Sequence, residues 1–164
     1  MAVIRKKIGD VFAVKLEHRK RYFQYVAIDS LQLGFDVIRA FKKTYSLDDN
    51  TSLETIVADE IEFYTHCSVK LGAKYDIWER IGNCSVIGNL DYIFRDTNDS
   101  ARSSWEPPVK VSEKWYVWKL GEKKYTNIGK LSERYKNAEI GIVFTPTDII
   151  ERLSTGKYDL TYPE

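Results

Sequence analysis

Apolar and polar residues alternate along the first forty residues of the chain. In "GDVFAVKL" (9–16), Val11, Ala13 and Lys15 oppose Phe12, Val14 and Leu16, which predicts a half-buried strand after the turn pair Gly9-Asp10. After the short charged connection "EHRKR", "RYFQYVAI" (21–28) predicts an antiparallel partner, and "FDVIRAF" (35–41) a third strand beyond a turn at Gly34. The period changes in "TSLETIVADEI" (51–61). Leu53, Ile56 and Val57 fall on one helical face, and Thr51 followed by Glu54 fits a capping box, so a short helix is expected. It runs into a strand over 60–69. "AKYDIWERIGN" (73–83) fits a helical turn or a strand equally well, and the turn-rich "RDTNDSARSSWEPP" (95–108) predicts an exposed loop.

In "SEKWYVWKLGEKKY" (112–125), two tryptophans and two tyrosines stand among four lysines. Lysines interleaved with rings can mark a nucleic-acid face, where cations meet phosphates and rings stack on bases. Strand alternation argues against it here, because Trp115 and Tyr116 point to opposite faces of a strand. A hairpin turning at Gly121 and returning through 123–131 accounts for the same letters, with Trp118 in the core and Trp115 half exposed. "EIGIVF" (139–144) predicts a central strand. "TPTDIIERLSTGKY" then carries full helix punctuation: Thr145 as N-cap, Pro146 at the first helical position, Asp148 in the first turn, Gly156 past the end. The pattern is that of a single α+β domain spanning 1–164, a mainly antiparallel, strongly bent sheet or small barrel with one or two short helices.

Composition narrows the classes. At 164 residues with 43% hydrophobic and 30% charged residues, the chain reads as one soluble globular domain. No apolar run approaches the ~20 residues of a membrane span, and the N-terminus shows no secretory pattern, so a cytoplasmic location is the default expectation. Cys67 and Cys84, with His18 and His66 as the only histidines, have no zinc-ligand spacing. Two buried thiols, and neither metal nor cofactor, are expected. The net charge of +1 is unevenly spread: residues 1–43 carry ten Lys/Arg against four Asp/Glu, whereas 44–65 carry six acids and no base.

No phosphate-binding glycine loop, nucleophile elbow or metalloprotease motif is present. His18 beside Arg19, Lys20 and Arg21 could serve a ribonuclease as general base, but a histidine in a charged turn reads first as solvated. His66 and Cys67 are sequence neighbours in a strand and point apart, which is poor geometry for a nucleophile and its base. Trp78 is expected to anchor the core with its indole N–H on a backbone carbonyl. Trp105, between a polar loop and Glu-Pro-Pro, is expected to be partly exposed and open to a partner.

Three stretches, "KIGDVFAVKL", "WERIGN" and "PTDIIERLSTGKYD", together resemble the bacterial polymorphic-toxin immunity proteins of immunity family 26, over about residues 7 to 159. The resemblance implies a small β-rich protein that blocks a cognate toxin, often a nuclease, by stoichiometric contact, without catalysis or cofactor. Its shared residues, Gly9, Asp10, Phe12, Trp78 and Gly82 here, look like fold residues. The acidic segment is therefore the expected toxin-facing surface: Asp48, Asp49, Glu54, Asp59, Glu60 and Glu62 would meet a basic toxin surface, with Trp105 as a further contact. An alternative is that "IGDVFAVKL" is similar to the first strand of SH3-like barrel toxins that cleave messenger RNA. Those continue with an Arg-Pro absent from "KRYFQYVAID". A non-catalytic nucleic-acid-binding barrel is the third reading, resting only on the basic N-terminal segment and residues 112–125.

Overall fold

The three alternating segments at the start of the chain become adjacent strands. In the computed structural model, which describes residues 4–100 and 105–164, β1 (Asp10–Lys15), β2 (Lys20–Ile28) and β3 (Asp36–Phe41) pair antiparallel in chain order. β4 (Ile61–Cys67) adds beside β3, and β5 (Glu79–Asn83) beside β1. With the short parallel strand β10 (Val143–Phe144) they form a 6-stranded sheet ordered β10-β4-β3-β2-β1-β5. A 4-stranded sheet is built from β6 (Ile93–Thr97), β7 (Trp115–Lys119), β8 (Tyr125–Gly129) and β9 (Glu139–Ile140), ordered β8-β7-β6-β9. The α+β class and mainly antiparallel pairing are as expected, but the two sheets do not close into a barrel. Among the described residues there are three helices: α1 (Leu53–Val57), α2 (Val69–Lys74) and α3 (Pro146–Thr155).

The first strands are more buried than alternation alone implied. β1, β2 and β3 are covered on both faces. On one face Phe12, Val14, Phe23, Tyr25, Ile38 and Phe63 pack under Ile149 and Leu153 of α3 and against Trp78. On the other, Val11, Ala13, Tyr22 and Phe41 lie with Ile56 and Val57 of α1. Further along that face Val26, Ala27 and Val37 meet Phe94 and Trp118 of the second sheet. Period-2 patterning thus sorted residues between two cores, since strands sandwiched by covering layers lose their wet side.

Local chemistry explains where elements start and stop. Thr145 caps α3 in a reciprocal capping box with Asp148, Pro146 opens it, and Gly156 ends it in a left-handed conformation (φ 84°). In α1 the cap is Ser52, not Thr51: its hydroxyl accepts from the Thr55 N–H, while Thr51 is held by the Asp49 carboxylate. α2, capped by Ser68, was not anticipated, because its few residues follow a strand without a break in polarity.

Three further expectations are corrected. "EIGIVF" is not one central strand. It divides between β9 in one sheet and β10 in the other, with Gly141 between them, where a Cβ would stand 2.1 Å from the Trp118 ring. Trp115 is not half exposed but fully buried. Residues near the end of the described chain cover its face: the Tyr162 ring lies 5.9 Å away, and the indole N–H reaches the Glu164 carbonyl at 3.4 Å. The turn-rich segment from 95 begins inside β6, and residues 101–104 of it lie outside the described residues.

Candidate functional site

"GDVF" and "WERIGN", some seventy residues apart in sequence, are neighbours in space. β1 and β5 pair with Asp10 opposite Asn83 and Val11 opposite Gly82. The Asp10 carboxylate is buried and accepts from the Lys7 backbone N–H (2.7 Å), Asn83 Nδ2 (2.9 Å) and Arg80 Nε (2.9 Å). One carboxylate therefore ties the entry of β1 to Arg80 and Asn83 of β5. Gly9 adopts φ +96°, and a Cβ there would stand 2.5 Å from the Cys84 carbonyl oxygen, so only glycine fits. Trp78 is buried against Phe23 edge-to-face (5.0 Å) and donates its indole N–H to the Val69 carbonyl at 2.9 Å, as its sequence context predicted. Its ring fills the space above Gly72, where a Cβ would come within 2.1 Å. Asp10, Gly9 and the Trp78 indole are thus spent on holding β1, β5 and α2 together.

Alongside it sits the acidic segment. Leu53 of α1 packs over Gly82, so the start of α1 adjoins the β1–β5 junction. The six acids divide in use. Glu62 pairs with the buried Arg21 at 2.7 Å, and Glu60 with Lys42 at 3.3 Å in an exposed pair. Asp59 accepts the backbone N–H groups of Lys43 and Glu60, each at 2.8 Å. Asp49 shapes the turn before α1. Hydrogen bonds from Thr51 hold its carboxyl below the usual aspartate range, with Lys20 adding to the effect. Asp48 and Glu54 are exposed. Glu54 and Asp59 line an open depression of about 470 Å³ together with Lys43, Tyr45, Thr55 and Ala58. Trp105, 84% exposed, belongs to the segment between β6 and β7, on the other sheet.

The histidines take opposite environments. His18 is open to solvent in the β1–β2 turn, and Arg21 from its basic cluster is turned inward onto the carbonyls of Phe41 and Leu153. His66 is completely buried, its Nε2 2.8 Å from Asp29, whose same oxygen accepts the Trp118 indole N–H at 3.1 Å. Burial drives the His66 pKa below the usual histidine range even though Asp29 pulls the other way. The ring is sealed by Phe94 at 4.3 Å and reaches no solvent, so the pair acts as a polar joint between the sheets. Cys67 is buried beside it in sequence, whereas Cys84, expected to be buried, is partly exposed; both are free thiols. Burial pushes the Cys67 thiol far above its ordinary pKa, which makes it inert as a nucleophile. Among the described residues no group of three His, Cys, Asp or Glu side chains is placed to hold a metal, and no helix is long and apolar enough to cross a membrane.

A family model described as immunity protein 26 matches residues 7–106. The chain belongs to this family. The matched region holds both halves of the β1–β5 junction, all of α1 and the acidic segment, whereas α3 lies beyond it. The immunity protein 26 match thus takes in five of the six strands of the first sheet and β6 of the second, and leaves β10 outside. No curated protein and no solved structure matches the chain.

Proposed function

We propose that this immunity protein neutralises a cognate bacterial toxin, a nuclease in the simplest case, by stoichiometric contact through the acidic surface of α1 and its flanks. Family membership supports the immunity role. The observation that carries the choice of surface is the contrast at α1. The groups shared with the family pattern are turned into the frame, while Asp48 and Glu54 stand exposed on a segment carrying six acids and no base. A nuclease must present lysines and arginines to bind phosphate, and an anionic surface of complementary pattern competes for those same cations. Long-range attraction then raises the association rate, and contact geometry sets residence time. Trp105 offers a large ring for a second contact. The protein itself performs no chemical step in this scheme and needs no cofactor.

The test is direct. Exchanging Asp48, Glu54 and Glu60 together for lysine should weaken binding to the toxin encoded beside the gene and flatten the salt dependence of association. Co-expression of the triple variant should fail to rescue growth. Full affinity in the triple variant overturns the choice of surface. Ribonuclease activity of the purified chain, lost on His18→Ala, would overturn the immunity reading itself.

A further inference from the structure

Tyr22, Tyr116 and Tyr158 spend their hydroxyls inside the fold, on Asp49 (3.5 Å), Asp96 (3.0 Å) and Thr65 (2.9 Å). Tyr45, in the connection between β3 and α1, does not. It is 8% exposed, its ring packs edge-on against Tyr22 at 5.0 Å, and its hydroxyl makes no hydrogen bond among the described residues. The Tyr92 hydroxyl also lacks a partner but is sealed from solvent, whereas Tyr45 lines the open depression beside α1. Burial, and after it the charge of Asp59 on the same depression, raises the Tyr45 pKa, so the hydroxyl lies within reach of that carboxylate's field. A phenol withdrawn from water without a partner is costly, and a group from outside can supply what the fold does not.

Three charged side chains line the depression: Glu54, Asp59 and Lys43. Glu54 is exposed and makes no ion pair among the described residues. Asp59 gives its oxygens to two backbone N–H groups, so no cation cancels its charge at contact distance. Lys43 places its ammonium 5.1 Å from the centre of the Tyr45 ring and, unlike Lys42 on Glu60, pairs with no carboxylate. A cation thus already rests on this ring, at the end of a solvated chain that is free to leave. We infer that the depression is the seat of one basic side chain of the toxin, an arginine or a lysine. It displaces the Lys43 ammonium from the Tyr45 ring, donates to the free hydroxyl oxygen and is held by the charges of Glu54 and Asp59. The inference rests on the reading of α1 and its flanks as the toxin-facing surface, and narrows it. Asp48 and Glu60 act at a distance, on encounter; Tyr45 acts in contact. A run of acids offers charge alone, whereas this depression adds a ring face and an unused acceptor, which together suit a guanidinium or ammonium group.

The intact ¹⁵N-labelled chain, titrated with N-acetyl-arginine amide and its lysine and glutamine counterparts at matched ionic strength, tests the seat without the toxin. Saturable shifts of the Thr55, Ala58 and Asp59 amides are expected with the two cations and not with the neutral probe; the stronger cation assigns guanidinium or ammonium. Tyr45→Phe, which keeps the ring and loses only the hydroxyl, should weaken probe and toxin binding about fivefold. Glu54→Gln should weaken both about threefold. Lys43→Met should tighten both about threefold, and more than Lys42→Met, which removes the same charge but leaves the ring covered. Shifts that never saturate, or saturable shifts indifferent to Tyr45→Phe and Lys43→Met, overturn the seat. If toxin binding falls on exchanging Asp48, Glu54 and Glu60 for lysine yet ignores Tyr45→Phe and Lys43→Met, the seat is overturned and the surface stands. If the probe responds to these variants while toxin affinity ignores them and the triple exchange alike, the toxin-facing reading is what falls.

Discussion

The β1–β5 junction and the acidic segment touch through Leu53 and Gly82, yet they use charge in opposite ways. At the junction a single buried carboxylate, Asp10, is surrounded by three donors, and a buried tryptophan and two closely approached glycines leave no slack. Around α1 the acids are many and, Glu62 on the buried Arg21 apart, exposed or shallow, with Asp59 on local backbone and Glu60 on a wet lysine. A buried polar group must be paired to be tolerated, so it specifies its neighbours; an exposed one is cheap to change and free to meet a partner. The division separates a fixed frame from an open surface.

That contrast can be broken most severely at Trp78. Trp78→Ala removes the ring above Gly72 and its bond to Val69, and should cost about 3–5 kcal/mol, read as a lowered urea midpoint. Asp10→Ala strands the donors of Lys7, Asn83 and Arg80, and about 2 kcal/mol is expected, with β5 amides losing hydrogen-exchange protection first.

The inter-sheet joint should respond to pH. The folded state keeps His66 neutral below the usual histidine range, while the unfolded chain takes up its proton near pH ~6.5. The unfolded state therefore gains protons first as pH falls, and stability declines from that point downward. His66→Gln should remove this slope in a pH series of urea melts; an unchanged slope would assign it to other groups.

The smallest effect belongs to the acidic side. Asp48→Lys with Glu54→Lys should move stability by no more than ~0.5 kcal/mol, since both are exposed. Toxin association should nevertheless slow markedly. A large stability loss there would erase the distinction between frame and surface.

Much of the frame was legible because its signals are local. Thr145, Pro146, Asp148 and Gly156 spell the start and end of α3, and alternation marked β1 to β3. The candidate surface was legible only as a run of acids; which of them are spent inside the fold, as Glu62 is on Arg21, was not. That Glu139 pairs with Arg152 left no signal either, because nothing around "EIGIVF" names its partner.

By itself, then, the sequence determined element types wherever caps, turns and periodicity act within a few residues, together with the family and the placing of charge along the chain. Tertiary structure alone decided what covers each element. Trp115 is buried because the tail returns over it, "EIGIVF" is divided because two sheets meet at Gly141, and the first strands lose their wet side because α1 covers β1 while the second sheet covers β2 and β3. The physical reason is range: capping and alternation are contacts between sequence neighbours, whereas burial depends on segments far away along the chain.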